Sequence, residues 1–150
     1  MDYKNVDILI VEDDPNDAEL TIRALRKHNH SSSIYLVRDG VEAVDFIFAE
    51  GKYSDRDIYD KPKVILLDLK LPKLNGLEVL QRIKSDTRTK TINIVVLTSS
   101  KEDKDINEAY KFGANSYIVK PVDFDKFISS IADIGMYWLI VNQPPEKSSA

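Results

Sequence analysis

Val64-Ile65-Leu66-Leu67-Asp68-Leu69-Lys70-Leu71-Pro72 is the stretch that decides the fold. A strand with one face in water alternates apolar and polar residues. Val64–Leu67 does not alternate, which marks a strand covered on both faces, as in a parallel sheet. The run stops on Asp68, so a carboxylate stands at the strand's carboxyl end. Val6–Val11, Ile92–Leu97 and Ser116–Val119 read the same way, and Ile34–Val37 is a weaker fifth example.

The segments between these runs have helical spacing. Ala18, Ile22 and Leu25 share one face, as do Val41, Val44 and Phe48. Leu77, Leu80 and Ile83 form a third stripe and Ile106, Ala109 and Tyr110 a fourth, while Phe124, Phe127, Ile128 and Ile131 open a last helix. Asp14-Pro15 is a helix cap followed by proline at the first helical position. Asn75-Gly76 marks a turn and Phe112-Gly113 a helix end. Strand and helix alternating five times predict a doubly wound five-stranded parallel α/β sheet of order 2-1-3-4-5. Gly51–Lys63 is a polar loop, longer than such connections usually are.

The bulk numbers fit one ordinary domain. The chain has 150 residues, 43% hydrophobic and 31% charged, with a formal net charge of -4. That charge argues against a nucleic-acid partner, whose surface needs basic residues. The absence of cysteine excludes disulfides, thiolate catalysis and thiolate-bound zinc. The N-terminus lacks the features of a signal peptide, and no apolar run approaches the ~20 residues of a membrane span, so the expected location is the cytoplasm.

In an open α/β sheet the functional crevice lies at the carboxyl ends of the strands. The residues there are Glu12, Asp13 and Asp14 after the first strand, Asp68 after the third, Thr98 and Ser99 after the fourth, and Lys120 with Pro121 after the fifth. Clustered carboxylates repel one another unless a cation relieves them. All-oxygen ligands select a hard ion such as Mg²⁺, which keeps open positions for a phosphate oxygen. A carboxylate beside such an ion can attack phosphorus and become an acyl phosphate, with Lys120 and the Thr98 hydroxyl stabilising the phosphoryl oxygens. Blander roles exist for single members: Asp14 as a helix cap, Thr98 as a β-branched strand residue, Tyr117 as half-buried core. His28 and His30 close the first helix among polar residues and are expected to be solvated.

Val11-Glu12-Asp13-Asp14, Leu67-Asp68-Leu69-Lys70-Leu71-Pro72 with Gly76, Thr98-Ser99, and Tyr117 with Lys120-Pro121 together resemble the receiver domain of two-component response regulators, over roughly residues 6–134. The resemblance implies a flavodoxin-like receiver fold with Asp68 as phosphoacceptor. It implies Mg²⁺ held by Glu12, Asp13, Asp68 and the backbone carbonyl of Lys70. Thr98, Ser99 and Lys120 would stabilise the phosphoryl group, and Thr98 with Tyr117 would form the switch. The phosphodonor would be a histidine kinase, and the chain would be no enzyme beyond slow autodephosphorylation. Lys70 itself adds a cation at the mouth of the site, which bears on the lifetime of the acyl phosphate. An FMN-binding flavodoxin-like protein would need a Gly/Ser/Thr-rich phosphate loop after the first strand, which is acidic here. A phosphohydrolase would want a carboxylate at position 70, which is lysine. A phosphorylation-insensitive adaptor with a receiver fold is the remaining alternative.

Residues 1–141 read as the receiver domain and 142–150 as a disordered tail. The last helix is expected over about Asp123–Asn142, and Met136–Val141 is apolar almost all round. That cluster is either core or an interface, with Tyr137 and Trp138 as anchor candidates. The chain end and the long loop before the third strand resemble the small regulators paired with cyanobacterial phytochrome-type histidine kinases. That implies output by protein–protein contact and a homodimer through helix 4, strand 5 and helix 5.

Overall fold

The computed structural model describes residues 3–28, 32–121, 123, 125–127 and 129. Five strands, β1 (Ile8–Val11), β2 (Ile34–Val37), β3 (Val64–Leu67), β4 (Asn93–Thr98) and β5 (Ser116–Val119), form one sheet. Every pairing is parallel, and the order is β2-β1-β3-β4-β5. Helices α1 (Pro15–His28), α2 (Gly40–Phe48), α3 (Gly76–Ser85) and α4 (Asp103–Lys111) alternate with the strands. This is the doubly wound parallel sheet that the alternation of strands and helices predicts, and the flavodoxin-like fold that the family resemblance implies.

The runs are continuous because each strand feeds two cores. Leu9, Val11, Ile65, Leu67, Ile94 and Val96 pack with Phe46 of α2, Leu80 and Ile83 of α3, and Ala109 of α4. Their neighbours Ile8, Ile10, Val64, Leu66, Val95 and Leu97 pack with Ile22 and Leu25 of α1 and with Phe127. Burying these side chains is the main source of stability, at about 1.5–3 kcal/mol for each large one.

Boundaries moved slightly. β1 begins at Ile8, although Val6 before it is still buried, and β4 is shifted one residue to end on Thr98. The predicted polar loop Gly51–Lys63 is in part core. A 3₁₀ turn over Gly51–Tyr53 buries the Tyr53 side chain, which meets Phe46 edge to face with ring centroids 5.0 Å apart. Tyr35 stacks on Phe46 at 5.1 Å, and the Arg56 guanidinium lies 3.9 Å over the Phe46 ring. The buried Arg56 also donates to the backbone carbonyls of Phe46 and Asp60. The aromatic residues are far apart in sequence, so no local pattern reveals this cluster. The expected helix over Asp123–Asn142, the Met136–Val141 cluster, His30 and the tail lie wholly or largely outside the described residues. Among the described residues no helix is long and apolar enough to cross a membrane.

Candidate functional site

Strand register assembles the site. Val11 pairs with Leu67, so Glu12 and Asp68 leave β1 and β3 side by side, and Asp68 N–H still donates to Val11 O at 3.1 Å. Thr98 pairs with Val119, which places Lys120 next to the end of β4, where its N–H donates to Thr98 O at 2.8 Å. One crevice therefore collects Glu12, Asp13, Asp68, Thr98 and Lys120, as expected from the sequence.

Two local devices hold this edge. Asp14 caps α1, its Oδ1 accepting from Asn16 N at 2.8 Å and Asp17 N at 3.2 Å, which confirms Asp14 as a cap. The loop after β3 returns so that Gly76 N–H donates to Leu69 O at 2.8 Å, while Asn75 caps α3 through Glu78 N at 3.0 Å. A Cβ on Gly76 would lie 2.3 Å from Asp68 O and 2.5 Å from Leu69 Cα. Glycine is there because the helix start presses on the backbone of Asp68 itself.

Glu12 and Asp68 are buried, at 4% and 7% exposure, whereas Asp13 is exposed. One carboxylate oxygen from each of the three lies within 4.8 Å of the others. The Lys120 ammonium answers part of this charge. It donates to Glu12 Oε1, to Asp68 Oδ2 at 3.0 Å and to Asp17 Oδ2 at 3.0 Å. Burial pushes the Glu12 carboxyl up to about 7, and the bond from Lys120 keeps it from rising further. Burial alone would lower the Lys120 ammonium, but its bonds to Glu12, Asp17 and Asp68 outweigh that and raise it above the ordinary lysine range. The lysine is therefore a fixed cation.

Asp68 Oδ1 accepts from the Lys70 N–H at 3.2 Å, so that loop's backbone turns toward the carboxylate. The Lys70 side chain is exposed at the mouth. Thr98 is fully buried and Ser99 exposed. Tyr117 is half-buried, and its hydroxyl donates to Ser100 O at 3.0 Å. The Ser100 hydroxyl donates to Asp105 Oδ2 of α4 at 2.5 Å, and Ser100 N–H reaches toward Thr98 Oγ1 at 3.4 Å. Thr98, Ser100, Asp105 and Tyr117 thus form one connected group around the loop after β4. Sequence reading found Thr98 and Tyr117 but missed Ser100, Asp105 and Asp17. The three donors of the ammonium call for a third acceptor beside Glu12 and Asp68, but nothing in the local sequence singles out Asp17 for that place. Tyr137 and Trp138 lie outside the described residues.

An acidic crevice of oxygen donors with one fixed ammonium suits a hard divalent cation and a phosphoryl group. Comparison with known proteins agrees with this chemistry. The probable methanogenesis regulatory protein FilR2 of Methanothrix harundinacea is 40% identical over 139 residues, covering 92% of this chain and 86% of its own. The response regulator Rcp1 of Synechocystis is 34% identical over 132 residues, 88% of each chain. A crystal structure of Rcp1 in its Mn²⁺-bound form superposes with a TM-score of 0.69 at 30% identity, covering 94% of this chain and 98% of that one. The bacteriophytochrome response regulator RtBRR superposes with a TM-score of 0.79 at 49% identity, covering 93% and 83%. The family model for the response regulator receiver domain matches residues 8–132. The chain belongs to the response regulator receiver domain family.

Proposed function

We propose that the chain is a stand-alone response regulator that accepts a phosphoryl group from a histidine kinase on Asp68 and signals by phosphorylation-dependent protein–protein contact. The observation that carries this reading is the buried Asp68 carboxylate, 3.0 Å from the Lys120 ammonium and clustered with Glu12 and Asp13. An Asp68 carboxylate oxygen attacks phosphorus in the donor's phosphoimidazole. The O–P bond forms, the P–N bond breaks, and its electron pair stays on the imidazole nitrogen. Lys120 meets the phosphoryl oxygens as a charged donor, and the Thr98 and Ser99 hydroxyls supply neutral ones. The chemistry is confined to the chain itself, with slow loss of the phosphoryl group to water.

The donor set fits Mg²⁺, being all oxygen, with Glu12, Asp13, Asp68 and the Lys70 carbonyl as the residues that would hold it. When bound, the ion neutralises charge on the transferring group and on the carboxylates. Incubation with acetyl phosphate and Mg²⁺ should add one base-labile phosphoryl mass, and Asp68→Asn should add none. Labelling of Asp68→Asn at the wild-type rate would refute the assignment.

Cation binding should also show in stability, because an ion bound only by the folded state raises it by mass action. Thermal melts of the wild type should rise with Mg²⁺. Asp13→Ala should melt about 2–4 °C higher than wild type without Mg²⁺, since one repelling carboxylate is gone, and should lose the response to the ion. A wild-type melt indifferent to Mg²⁺ would remove the cation site from the account.

Readout is assigned to Thr98 and Tyr117. The phosphoryl oxygens draw in the Thr98 hydroxyl, and the Tyr117–Ser100–Asp105 group responds through the loop after β4. Thr98→Ala should be phosphorylated about tenfold more slowly, and its phosphorylated form should fail to change association state. Sedimentation with and without phosphodonor checks this, and a wild-type shift in Thr98→Ala would break the coupling. The partners proposed are a phytochrome-type histidine kinase, supported by the similarity to the bacteriophytochrome response regulator RtBRR, and a second copy docked through α4, β5 and the final helix, with Tyr137 and Trp138 as anchors. Phosphotransfer profiling against purified kinases identifies the donor.

A further inference from the structure

Lys120 has three carboxylate partners, and two of them have a second task. Glu12 and Asp68 belong to the cluster of oxygens within 4.8 Å that suits a cation, and Asp68 is the proposed acceptor. Asp17 is outside that cluster, yet its Oδ2 stands 3.0 Å from the Lys120 ammonium. Its position is built. The Asp14 cap fixes the first turn of α1, and the next residue, Ala18, is buried at 2% exposure, so the Asp17 side chain is turned along the edge of the crevice. Its side chain is 39% exposed, against 12% for Lys120, which sets it at the rim with the ammonium inside.

We propose that Asp17 is a positioning residue that retains Lys120 when Glu12 and Asp68 are taken by the cation and the phosphoryl group. This rests on the reading of Asp68 as phosphoacceptor. A lysine stem is flexible, and an ammonium released by two carboxylates at once would swing into water. Held by Asp17, it keeps one bond while its other two donors pass from carboxylate to phosphoryl oxygens. Phosphorylated Asp68 keeps its carbonyl oxygen, has one oxygen in the anhydride link to phosphorus and carries three terminal phosphoryl oxygens, so the acceptors Lys120 loses are replaced at the same place.

The test uses wild type, Asp17→Asn, Lys120→Gln and the double variant, labelled with ¹⁵N-lysine. The Lys120 ammonium resonance is the one missing in Lys120→Gln. In wild type it should persist when Mg²⁺ alone is added. In Asp17→Asn it should be present without Mg²⁺, where Glu12 and Asp68 still hold the group, and should broaden away with it. Labelling by acetyl phosphate should slow about three- to tenfold in Asp17→Asn, as expected for losing one partly exposed charge-assisted hydrogen bond. It should not slow further when Asp17→Asn is added to Lys120→Gln. Persistence of the resonance in Asp17→Asn with Mg²⁺ would overturn the proposal. So would equal slowing in both backgrounds, which would reduce Asp17 to a favourable charge in the first turn of α1. Failure of wild type to take any phosphoryl mass would instead refute Asp68 as acceptor, while the ammonium signal, needing no phosphodonor, still decides on Asp17.

Discussion

Lys120→Gln is expected to lower the stability of the metal-free protein by about 2–4 kcal/mol, and millimolar Mg²⁺ is expected to restore most of the loss. The lysine is the cation that reaches Glu12 and Asp68, whose side chains are only 5% and 9% exposed. Removing one partner of a buried ion pair leaves the other charge without compensation, which costs far more than breaking a surface pair. Proton uptake limits the penalty, because burial already pushes the Glu12 carboxyl up to about 7 and loss of Lys120 sends it higher. A divalent ion on the same carboxylates replaces the missing charge. Urea unfolding with and without Mg²⁺ measures both values. Equal losses in the two conditions would show that Lys120 and the cation do not share these carboxylates.

Gly76→Ala is expected to cost about 3 kcal/mol or more, a loss reserved for a few mechanisms such as overpacking. The added methyl would stand 2.3 Å from Asp68 O and 2.5 Å from Leu69 Cα, and backbone cannot yield as a side chain does. Relief requires α3 and the loop after β3 to separate. Gly76 N–H would then lose its bond to Leu69 O, and Asp68 would move from its place against Glu12 and Lys120. Phosphoryl uptake should fall with stability, even at temperatures where the variant remains folded. A variant with unchanged urea midpoint and unchanged labelling would mean that the loop tolerates displacement.

What could be foreseen follows from how far each interaction reaches along the chain. Val64–Leu67 announces a doubly covered strand in four consecutive residues, and the other strands repeat the pattern, so sheet order and crevice followed from chain-topology rules. Glu12, Asp68, Thr98 and Lys120 were legible because a strand end is a position that periodicity can locate. Asp17 was not, because it reaches Lys120 across 103 positions from a helix face that reads as solvated. Ser100 and Asp105 were equally silent, since a hydroxyl and a carboxylate five residues apart fit any polar loop. Tyr53 and Arg56 show the same limit in the core. Their loop is polar in composition, and only the placement of Tyr35 and Phe46 turns it into a packed cluster.

The site of phosphoryl attachment is the most direct test. Wild-type protein labelled with acetyl phosphate and Mg²⁺, reduced with borohydride and cleaved for peptide mass spectrometry, should carry homoserine at position 68, the product of reducing an aspartyl phosphate. Homoserine at 68 in stoichiometric yield, absent when phosphodonor is withheld, is the predicted result. A phosphoryl group mapped to any other residue, or none at all on folded protein, would contradict the account.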